Sequence, residues 1–453
     1  MKELPKASID RLLSTPYGEA AYAVVDRLTE AGFEAWWVGG GTRDLALGNT
    51  PKDIDIATIA TPEKMKGVFA DAKQDPLSLG SMRVKQGKFV FEVTTFREES
   101  DASNARHPEN VTFSTRDKDV VRRDFTVNAI YYQPVSCETF DPTEGLKDIQ
   151  EKLVRFIGDP ATRMKHDALR MLRAVRLRAM MDGQYHPDTY EALRENAALI
   201  TGLSGSRQLE ELEKMLAGPK PSRALEDLWE LGILEKMASE LYACKGVAQP
   251  ADYHHEGDVW NHTLQCADAF RPDDEADVRL AALFHDIGKV ETFAIKERIR
   301  FDHHASVSAD TATKILQRWQ APKKRVEKID WLIRHHMTMG TFADLSDERK
   351  AHWYFHPWFA DLLRVFWLDI AGTTPSEFGM YDAIVSDYNA FLDSHPRPPK
   401  QLLSGADVMD ILGIRPGEEV GEILKKLHDA QVKKDVTTKA EAKEFVAEFA
   451  SKK

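Results

Sequence analysis

The stretch Val38-Gly39-Gly40-Gly41-Thr42-Arg43-Asp44, with Asp53-Ile54-Asp55 beginning ten residues beyond Arg43, decides the fold of this chain. The glycines follow a predicted strand and open a predicted helix, an arrangement that lets backbone N–H groups of Gly39 and Gly40 approach a triphosphate. The Arg43 side chain can add a bidentate positive charge. A glycine triplet alone is more often a tight turn, so its neighbours must decide between the two interpretations.

The Asp-Ile-Asp segment is the first of these neighbours. On a strand, side chains two residues apart point to the same face, so Asp53 and Asp55 can converge on one site. Two carboxylates there suit Mg²⁺. An exposed edge carrying two solvated acids is the alternative, and it is disfavoured because Ile54 and Ile56 predict a buried opposite face.

Two further segments carry charged groups near predicted strands. Glu92, in Phe91-Glu92-Val93, is a candidate third carboxylate, although a strand glutamate usually faces solvent. The run Arg122-Arg123-Asp124-Phe125-Thr126-Val127-Asn128-Ala129 places cations, a carboxylate and an amide together, which suits contacts to phosphates and ribose hydroxyls. By itself, this second segment would read as surface charge.

Short segments rich in β-branched and aromatic residues predict strands at 35–38, 53–59, 88–97, 109–113 and 126–132. Helical patterns occur at 17–31 and 61–70, so the first 150 residues predict a head of mixed or antiparallel sheet with helices. After Gly158-Asp159-Pro160 the strand signals stop, and Gly/Pro breaks separate helical patterns. The predicted class is α+β, a head followed by an all-α body. Residues 394–400 (SHPRPPK) predict a linker before a helical tail.

Composition excludes several classes of protein. The chain has 453 residues, a formal net charge of −12 and three widely spaced cysteines. An odd number of cysteines without a Cys-x-x-Cys pair indicates neither a disulfide framework nor a thiolate metal site. No apolar run approaches the roughly 18 residues of a membrane span, and the first 16 residues lack the apolar core of a signal peptide. We therefore expect a cytoplasmic protein without a membrane partner.

The acidic average conceals a basic segment. Because the net charge disfavours a nonspecific basic coat, any RNA contact requires local basic surface. Residues 152–178 predict one, since their only acids are Asp159 and Asp167 and their cations are Lys152, Arg155, Arg163, Lys165, Arg170, Arg173, Arg176 and Arg178.

Within this segment, Asp167, Arg170, Arg173 and Arg176 recur every three residues, which predicts one polar face of a single helix. A salt-bridged amphipathic helix is the plain interpretation. An aspartate and an arginine together also present the acceptors and donors needed to pair with the edge of a base.

A second candidate metal site lies in the predicted helical body. His262, the pair His285-Asp286 and Asp369 combine imidazoles with carboxylates, which suits a divalent transition metal. A core histidine satisfied by an aspartate is the commoner explanation of one such pair.

In their order and spacing, Gly-Gly-x-x-Arg-Asp, Asp-x-Asp and Arg-Arg-Asp-Phe-Thr-Val-Asn-Ala resemble the class II tRNA nucleotidyltransferase and bacterial poly(A) polymerase family. Segments 206–212 (SRQLEEL) and 221–225 (PSRAL) also resemble this family's neck, so the resemblance covers about the first 240 residues. It implies addition of CCA to tRNA 3' ends from CTP and ATP, with two Mg²⁺ ions held by catalytic Asp53 and Asp55. It also implies that the nucleotide is bound by Gly39, Gly40, Arg43, Arg123, Asp124, Asn128, Asp167, Arg170, Arg173 and Arg176.

The same resemblance assigns separate roles within the 167–176 helix. Asp167 and Arg170 are expected to read the base, whereas Arg173 and Arg176 hold phosphate or the helix itself. The family usually has glutamate before this aspartate, but His166 occupies that position here. This departure concerns the hydrogen bonds of the base-reading residues, and through them the strict order of C before A. The loop from Glu98 to Pro108 keeps a length similar to that of relatives that switch to ATP, so A addition is expected. A poly(A) polymerase or an A-only enzyme is the alternative.

The order His, His-Asp, Asp resembles the HD phosphohydrolase superfamily, with His303, His304, His335 and His336 available for a second metal shell. Residues 403–417 resemble the tail of HD-containing tRNA nucleotidyltransferases. The expected layout is a catalytic head at 1–150, a helical neck for base selection and RNA binding at 151–240, an HD domain at 241–393 and a helical tail at 394–453. A third possibility is a protein that is chiefly an HD phosphohydrolase. The oligomeric state stays open.

Overall fold

The computed structural model describes residues 2–74, 80–98, 112–252, 254–395, 400–432 and 435–450. Contacts within the chain divide it into two compact units. The first comprises Met1–Tyr242 with Arg318–Gln320, and the second comprises Ala243–Gln317 with Ala321–Lys453. The division into four segments at residues 150, 240 and 393 stays a prediction.

The head of the first unit alternates helices and short strands. Its elements are α1 Lys6–Leu13, α2 Pro16–Glu30, β1 Ala35–Val38, α3 Gly40–Ala46, β2 Asp55–Thr58, α4 Pro62–Val68, β3 Lys73–Gln74, β4 Ser81–Gln86, β5 Phe89–Thr95, α5 Arg116–Arg122, a 3-10 helix Thr126–Asn128, β6 Tyr131–Gln133, β7 Glu138–Phe140, α6 Gly145–Gln150 and β8 Leu153–Val154.

One seven-stranded sheet organises the head, in the order β3-β4-β5-β2-β1-β6-β7. Strands β2 and β5 are parallel, and the other neighbours are antiparallel. Strand β1 is buried at all four positions, as expected for Ala-Trp-Trp-Val at the centre of a sheet. Val38 pairs with Asp55, so the end of β1, where the glycines begin, lies beside the start of the carboxylate strand.

The remainder of the first unit is helical except for one short strand. Its elements are α7 Pro160–His166, α8 Leu169–Met181, β9 Gln184–Tyr185, α9 Pro187–Glu195, a 3-10 helix Ala197–Gly202, α10 Gly205–Leu216, α11 Pro221–Glu230, α12 Ile233–Met237 and α13 Ser239–Tyr242.

The second unit is also mainly helical. It contains α14 Val259–Asp268, α15 Ala276–Phe284, α16 Lys289–Thr292, β10 Phe293–Ile295, β11 Ile299–Phe301, α17 His304–Arg318, α18 Lys323–His335, a 3-10 helix His336–Asp344, α19 Asp347–Tyr354, α20 Phe359–Gly372, α21 Gly379–Ser394, α22 Gly405–Leu412, α23 Glu418–Val432 and α24 Lys439–Ala450. Helices α22 to α24 share an apolar core that includes Val408, Ile423 and Val446. None of the described helices is long and apolar enough to cross a membrane.

The α+β prediction is confirmed, with three local corrections. Residues 126–128 form a 3-10 helix where a strand was expected, and β6 begins only at Tyr131. The single helix expected from Asp167 is interrupted, because α7 ends at His166 and α8 begins at Leu169. The body is not wholly helical, since β9 pairs with β8 and β10 pairs with β11. Most of the predicted strand at 109–113 and of the loop at 98–108 lies outside the described residues.

Candidate functional site

The glycine run packs directly against the carboxylate strand. Gly39 has φ 85°, and a Cβ added there would lie 2.5 Å from Asp55 Oδ2. A Cβ on Gly41 would lie 2.6 Å from Ile54 Cδ1 and 2.7 Å from the Asp53 carbonyl oxygen. The Thr42 hydroxyl anchors the loop by donating to the Ile130 carbonyl oxygen at 2.9 Å. Gly39 and Gly41 are therefore required for close approach of the loop to β2.

We expect Gly39→Ala to impair the nucleotide incorporation that the resemblance implies and to destabilise the head by about 1–2 kcal/mol, because an L residue is strained at positive φ. The added methyl group would also displace Asp55. The matched control is Gly67→Ala on α4, where a Cβ meets open space and helix propensity favours alanine. Thermal unfolding and nucleotide incorporation of the two variants check the prediction. Equal behaviour of both variants would contradict it.

Three carboxylates gather at the edge of β2 and β5. Asp53 is exposed just before β2, and Asp55 is half-buried as its first residue. In the parallel register Ile56 pairs with Val93, so Asp55 and Glu92 occupy adjacent positions one step earlier and share a face. Ile54 and Ile56 are 0% and 1% exposed, which places the opposite side in the core, as expected.

Burial and the neighbouring carboxylates shift the pKa of Asp55. Burial raises it to about 6, and the charges of Asp53 and Glu92 add to the increase, whereas Arg123 and Arg173 oppose it. Tyr17 fixes the approach to the strand, because its hydroxyl accepts from the Ile54 amide at 2.9 Å and lies 3.3 Å from Asp53 Oδ1. Such a cluster of acids is stabilised by a cation, which fits the predicted Mg²⁺.

A chain of polar contacts, here called the polar chain, joins the glycine loop to α8. Arg43 Nη1 donates to Asn128 Oδ1 at 2.8 Å, and Asn128 Nδ2 donates to Asp124 Oδ1 at 3.2 Å. Asp124 Oδ2 lies 2.7 Å from Arg173 Nη2. Arg43 also pairs with Asp44 at 2.8 Å. Four residues that the resemblance assigns to nucleotide binding are thus held by one another.

Asp119, which sequence reasoning missed, anchors Arg123, another arginine that the resemblance assigns to nucleotide binding. Its side chain is fully buried and lies 2.6 Å from an Arg122 nitrogen and 3.1 Å from Arg123 Nη2. The Tyr131 hydroxyl donates to Asp119 Oδ2 at 2.5 Å. Burial would raise the pKa of Asp119, but Arg123 and Arg122 outweigh it and lower the pKa. The signal available in the sequence was the spacing, since Asp119 precedes Arg122 by three residues and Arg123 by four at the end of one helix.

Asp167 and Arg170, the residues predicted to read the base, are separated by the break between α7 and α8. Asp167 caps the end of α7, and its Oδ1 accepts from the Leu169 amide at 3.1 Å. Arg170 Nη1 donates to the Arg163 carbonyl oxygen at 2.9 Å, so it braces the preceding helix. Arg176 Nε lies 2.8 Å from Glu211 Oε2 and ties α8 to α10. Asp167 lines a cavity of about 470 Å³ together with His166 and Arg207.

Several cations of the basic segment at 152–178 are paired within the protein, so it presents less positive charge to solvent than its composition indicated. Arg155 pairs with Asp148, Arg178 with Asp227, and Arg163 donates to the carbonyl oxygens of Arg122 and Arg123. Much of this positive charge therefore holds the first unit together.

In the second unit, His262, His285, Asp286 and Asp369 converge. His262 Nε2 lies 3.2 Å from His285 Nε2, 3.7 Å from Asp286 Oδ2 and 3.2 Å from Asp369 Oδ1. His285 Nε2 lies 3.4 Å from Asp286 Oδ2 and 3.5 Å from Asp369 Oδ1. Ligand atoms that share one metal ion lie roughly 3 to 4 Å from one another, so these separations fit a metal. His285 and Asp286 lie just beyond the end of α15, where a helix was expected.

A second group of possible ligands shares Asp286. Its Oδ1 lies 3.4 Å from His304 Nε2 and 4.0 Å from His336 Nε2. Asp286 Oδ1 and His304 Nε2 are buried without a hydrogen-bond partner among the described residues. Of the four histidines considered for a second shell, His304 and His336 join this group. His335 instead packs against Trp331, and His303 is exposed.

Two residues that sequence reasoning missed support this cluster. Glu256 Oε1 lies 3.3 Å from His262 Nδ1, and Lys289 Nζ lies 2.6 Å from Asp286 Oδ2. Burial would raise the pKa of Asp286, but His285 and Lys289 outweigh it and hold the pKa well below its usual range. The three-residue spacing of Lys289 from Asp286 could have indicated this contact from the sequence, whereas nothing in the sequence indicated Glu256.

Comparison with known proteins matches three domain families. Residues 35–155 match the poly A polymerase head domain, residues 184–244 match a probable RNA- and SrmB-binding site of polymerase A, and residues 252–354 match the HD domain. The glycine loop and the carboxylates on neighbouring strands thus define a head of the poly(A) polymerase class. The chain thus matches a poly A polymerase head followed by an HD domain, the combination that the sequence resemblance predicted.

Individual relatives agree with this assignment. The chain is 40% identical over 211 residues to a CCA-adding enzyme of Pediococcus pentosaceus, a match that covers 46% of this chain and 53% of the relative. It is 37% identical over 222 residues to one of Geobacillus stearothermophilus, covering 49% and 54%. The chain spans about half the length of these curated relatives. A solved Bacillus stearothermophilus CCA-adding enzyme in complex with CTP is similar with a TM-score of 0.71, 26% identity, and 97% and 98% coverage.

Proposed function

We propose that this protein adds CCA to the 3' ends of tRNA from CTP and ATP, without a nucleic-acid template. The observation that carries the proposal is the set of Asp53, Asp55 and Glu92 on adjacent strands beside the glycine loop. The names of the relatives, CCA-adding enzymes, support the same reaction. We place the protein in the cytoplasm, where these substrates occur.

In this proposal Asp53 and Asp55 hold Mg²⁺, with Glu92 as a possible third carboxylate. The bound metal would activate the RNA 3'-hydroxyl for in-line attack on the α-phosphate and stabilise the departing pyrophosphate. Gly39 and Gly40 allow the triphosphate to approach the backbone, because neither carries a side chain. Arg43 and Arg123 neutralise its charge, each held in place by an acid.

Base selection falls to Asp167 and Arg170 in the neck, the segment 151–240. The Asp167 carboxylate offers acceptors and lines a cavity, whereas Arg170 offers donors beside the preceding helix. Asp124 and Asn128 orient Arg43 and Arg173 through the polar chain. Arg176 holds α8 against α10.

The nucleotide requirement tests this function. With tRNA lacking its CCA end, CTP alone is expected to add two residues, and CTP with ATP is expected to add three. ATP alone is expected to extend tRNA ending in CC by one residue. Resolving the labelled products on a sequencing gel checks all three. If CTP is never incorporated, a poly(A) polymerase or an A-only enzyme replaces the CCA-adding assignment.

A second function, metal-dependent phosphohydrolysis, is favoured by the arrangement in the HD domain, 241–393. A cavity of about 500 Å³ opens beside Asp286, His304 and His336, and Lys289, Arg298 and Arg300 also line it. Three cations beside a shared carboxylate suit a phosphate ester bound next to metal. A divalent transition metal would be held by His262, His285, Asp286 and Asp369.

His285→Ala is expected to reduce hydrolysis of phosphate esters by at least about a hundredfold, since a metal ligand is lost, and to leave CTP incorporation within about twofold. Asp53→Ala is expected to have the opposite pattern. Assays of both activities on the full chain, with a generic aryl phosphate ester for hydrolysis, check the separation. Hydrolysis that persists in His285→Ala would remove the second function. Loss of both activities in Asp53→Ala would contradict two independent sites.

A further inference from the structure

Cys266 lies one helical turn beyond His262 on α14 and faces the same cluster. Its side chain is fully buried, and its Sγ lies 3.5 Å from His262 Nε2. The ligand atoms of Cys266, His262 and His285 all lie within 4.8 Å of one another. No sequence signal indicated a thiolate site, because apart from His262 on the same helix the groups of this cluster come from segments distant in the sequence.

The end of α20 leaves room for this thiol. A Cβ added to Gly372 would lie 2.2 Å from Cys266 Sγ, so any larger residue there would displace the sulfur. The Gly372 carbonyl oxygen accepts from His262 Nδ1 at 3.0 Å and fixes that ring with Nε2 towards the cluster. Asp369 lies one turn earlier on the same helix. The sulfur is thereby held against the atoms that converge on the metal position.

Metal binding changes what the thiol can bond to. Among the described residues, Cys266 Sγ contacts His262 Nε2, the same nitrogen that lies within 3.2 to 3.7 Å of His285, Asp286 and Asp369. When this nitrogen ligates a metal, it no longer accepts a hydrogen bond. A fully buried thiol that loses its acceptor either stays unpaired or joins the metal as a thiolate.

We propose that Cys266 is a further ligand of the HD metal, and that the site therefore takes a thiophilic divalent ion such as Zn²⁺, Fe²⁺ or Co²⁺ in preference to Mg²⁺ or Mn²⁺. This rests on the metal site of the second proposed function. On ligation the sulfur–hydrogen bond breaks, the sulfur lone pair forms the metal bond, and the proton passes to solvent. Soft thiolate ligands select Zn²⁺ and iron over the hard cations that prefer oxygen.

The experiment is to load the metal-free full chain with Co²⁺ and record its absorption spectrum. The expected result is a near-ultraviolet thiolate-to-cobalt charge-transfer band with about one equivalent of Co²⁺. The band is expected to persist in Cys137→Ser/Cys244→Ser, which retains Cys266 as the sole cysteine, and to disappear in Cys266→Ser. The double variant keeps the proposal testable even if Cys266→Ser fails to fold.

Affinity gives an independent measurement. Cys266→Ser is expected to weaken Zn²⁺ binding by at least about tenfold and to change Mn²⁺ binding by less than about twofold. Co²⁺ that binds with visible d–d bands but without the charge-transfer band would overturn the role of Cys266 and leave the metal site intact. Failure of His285→Ala to reduce Co²⁺ binding would overturn the metal site itself.

Discussion

Asp55→Asn is expected to reduce CTP and ATP incorporation by at least about a thousandfold, which corresponds to about 4 kcal/mol of lost transition-state stabilisation. Asparagine keeps the shape of the side chain beside Gly39 but removes the charge that would hold Mg²⁺. Asp53→Ala is expected to cause a similar loss. Incorporation of labelled nucleotide into tRNA lacking its end checks both variants. Undiminished incorporation would exclude these carboxylates from the catalytic site.

The same asparagine variant is expected to be more stable than the native protein when metal is absent. The folded-state pKa of Asp55 is about 6, above its ordinary value of 3.8, so the folded state binds the proton more tightly. Stability contributed by the protonated form is therefore lost as pH rises from about 4 to about 6. Asp55→Asn does not titrate at this position and keeps that stability. Its free energy of unfolding should therefore exceed that of the native protein by about 1 to 2 kcal/mol above pH 7, after allowance for solvent screening. Thermal unfolding with a chelator at pH 4.5 and 7.5 measures the difference, which should be clearly smaller at the lower pH.

Asp119→Ala is expected to destabilise the head by about 3 kcal/mol or more, because it leaves Arg122 and Arg123 without their buried partner. The released Arg123 should also raise the KM for CTP by about tenfold or more, an effect that a purely structural role would not produce in the folded fraction. Because the pKa of Asp119 is lowered, its contribution is present above an ordinary carboxyl pKa and is lost as pH falls below that range.

The control is Asp117→Ala, an exposed acid two residues earlier on the same helix. It should change stability by less than about 0.5 kcal/mol and leave the KM unaltered. Chemical denaturation at pH 7 and steady-state kinetics on both variants check the contrast. An Asp119→Ala protein with native KM would show that Arg123 does not need this anchor.

The sequence was sufficient to predict features that depend on local pattern. Strand β1 was predicted with its correct bounds because Ala-Trp-Trp-Val is an apolar run bounded by glutamate and glycine. Helices α2 and α4 were placed within two residues, since each has an N-cap threonine followed by proline. The resemblance to the family came from short motifs and was confirmed by the domain matches.

Features that depend on tertiary contacts were less accessible. The helical spacing of Asp167, Arg170 and Arg173 predicts one helix, yet Asp167 instead caps α7. Strands β8 and β9 have two residues each, too short to give a period. The gathering of His262, His285 and Asp369 requires helices that lie far apart in the sequence. Their composition suggested a metal, but the added thiol of Cys266 emerged only from packing against Gly372.

The polar chain from Arg43 through Asn128 and Asp124 to Arg173 has a consequence for engineering and for evolution. A designer who transplants α8 from a relative with another nucleotide preference would replace one end of this chain and retain the other. Its four side chains are energetically coupled, because each satisfies a charge or amide of the next, so we expect them to change together. If these residues bind nucleotide as proposed, a change of substrate preference requires correlated substitutions in the head and the neck, even though the two ends of the polar chain, Arg43 and Arg173, are more than a hundred positions apart in sequence.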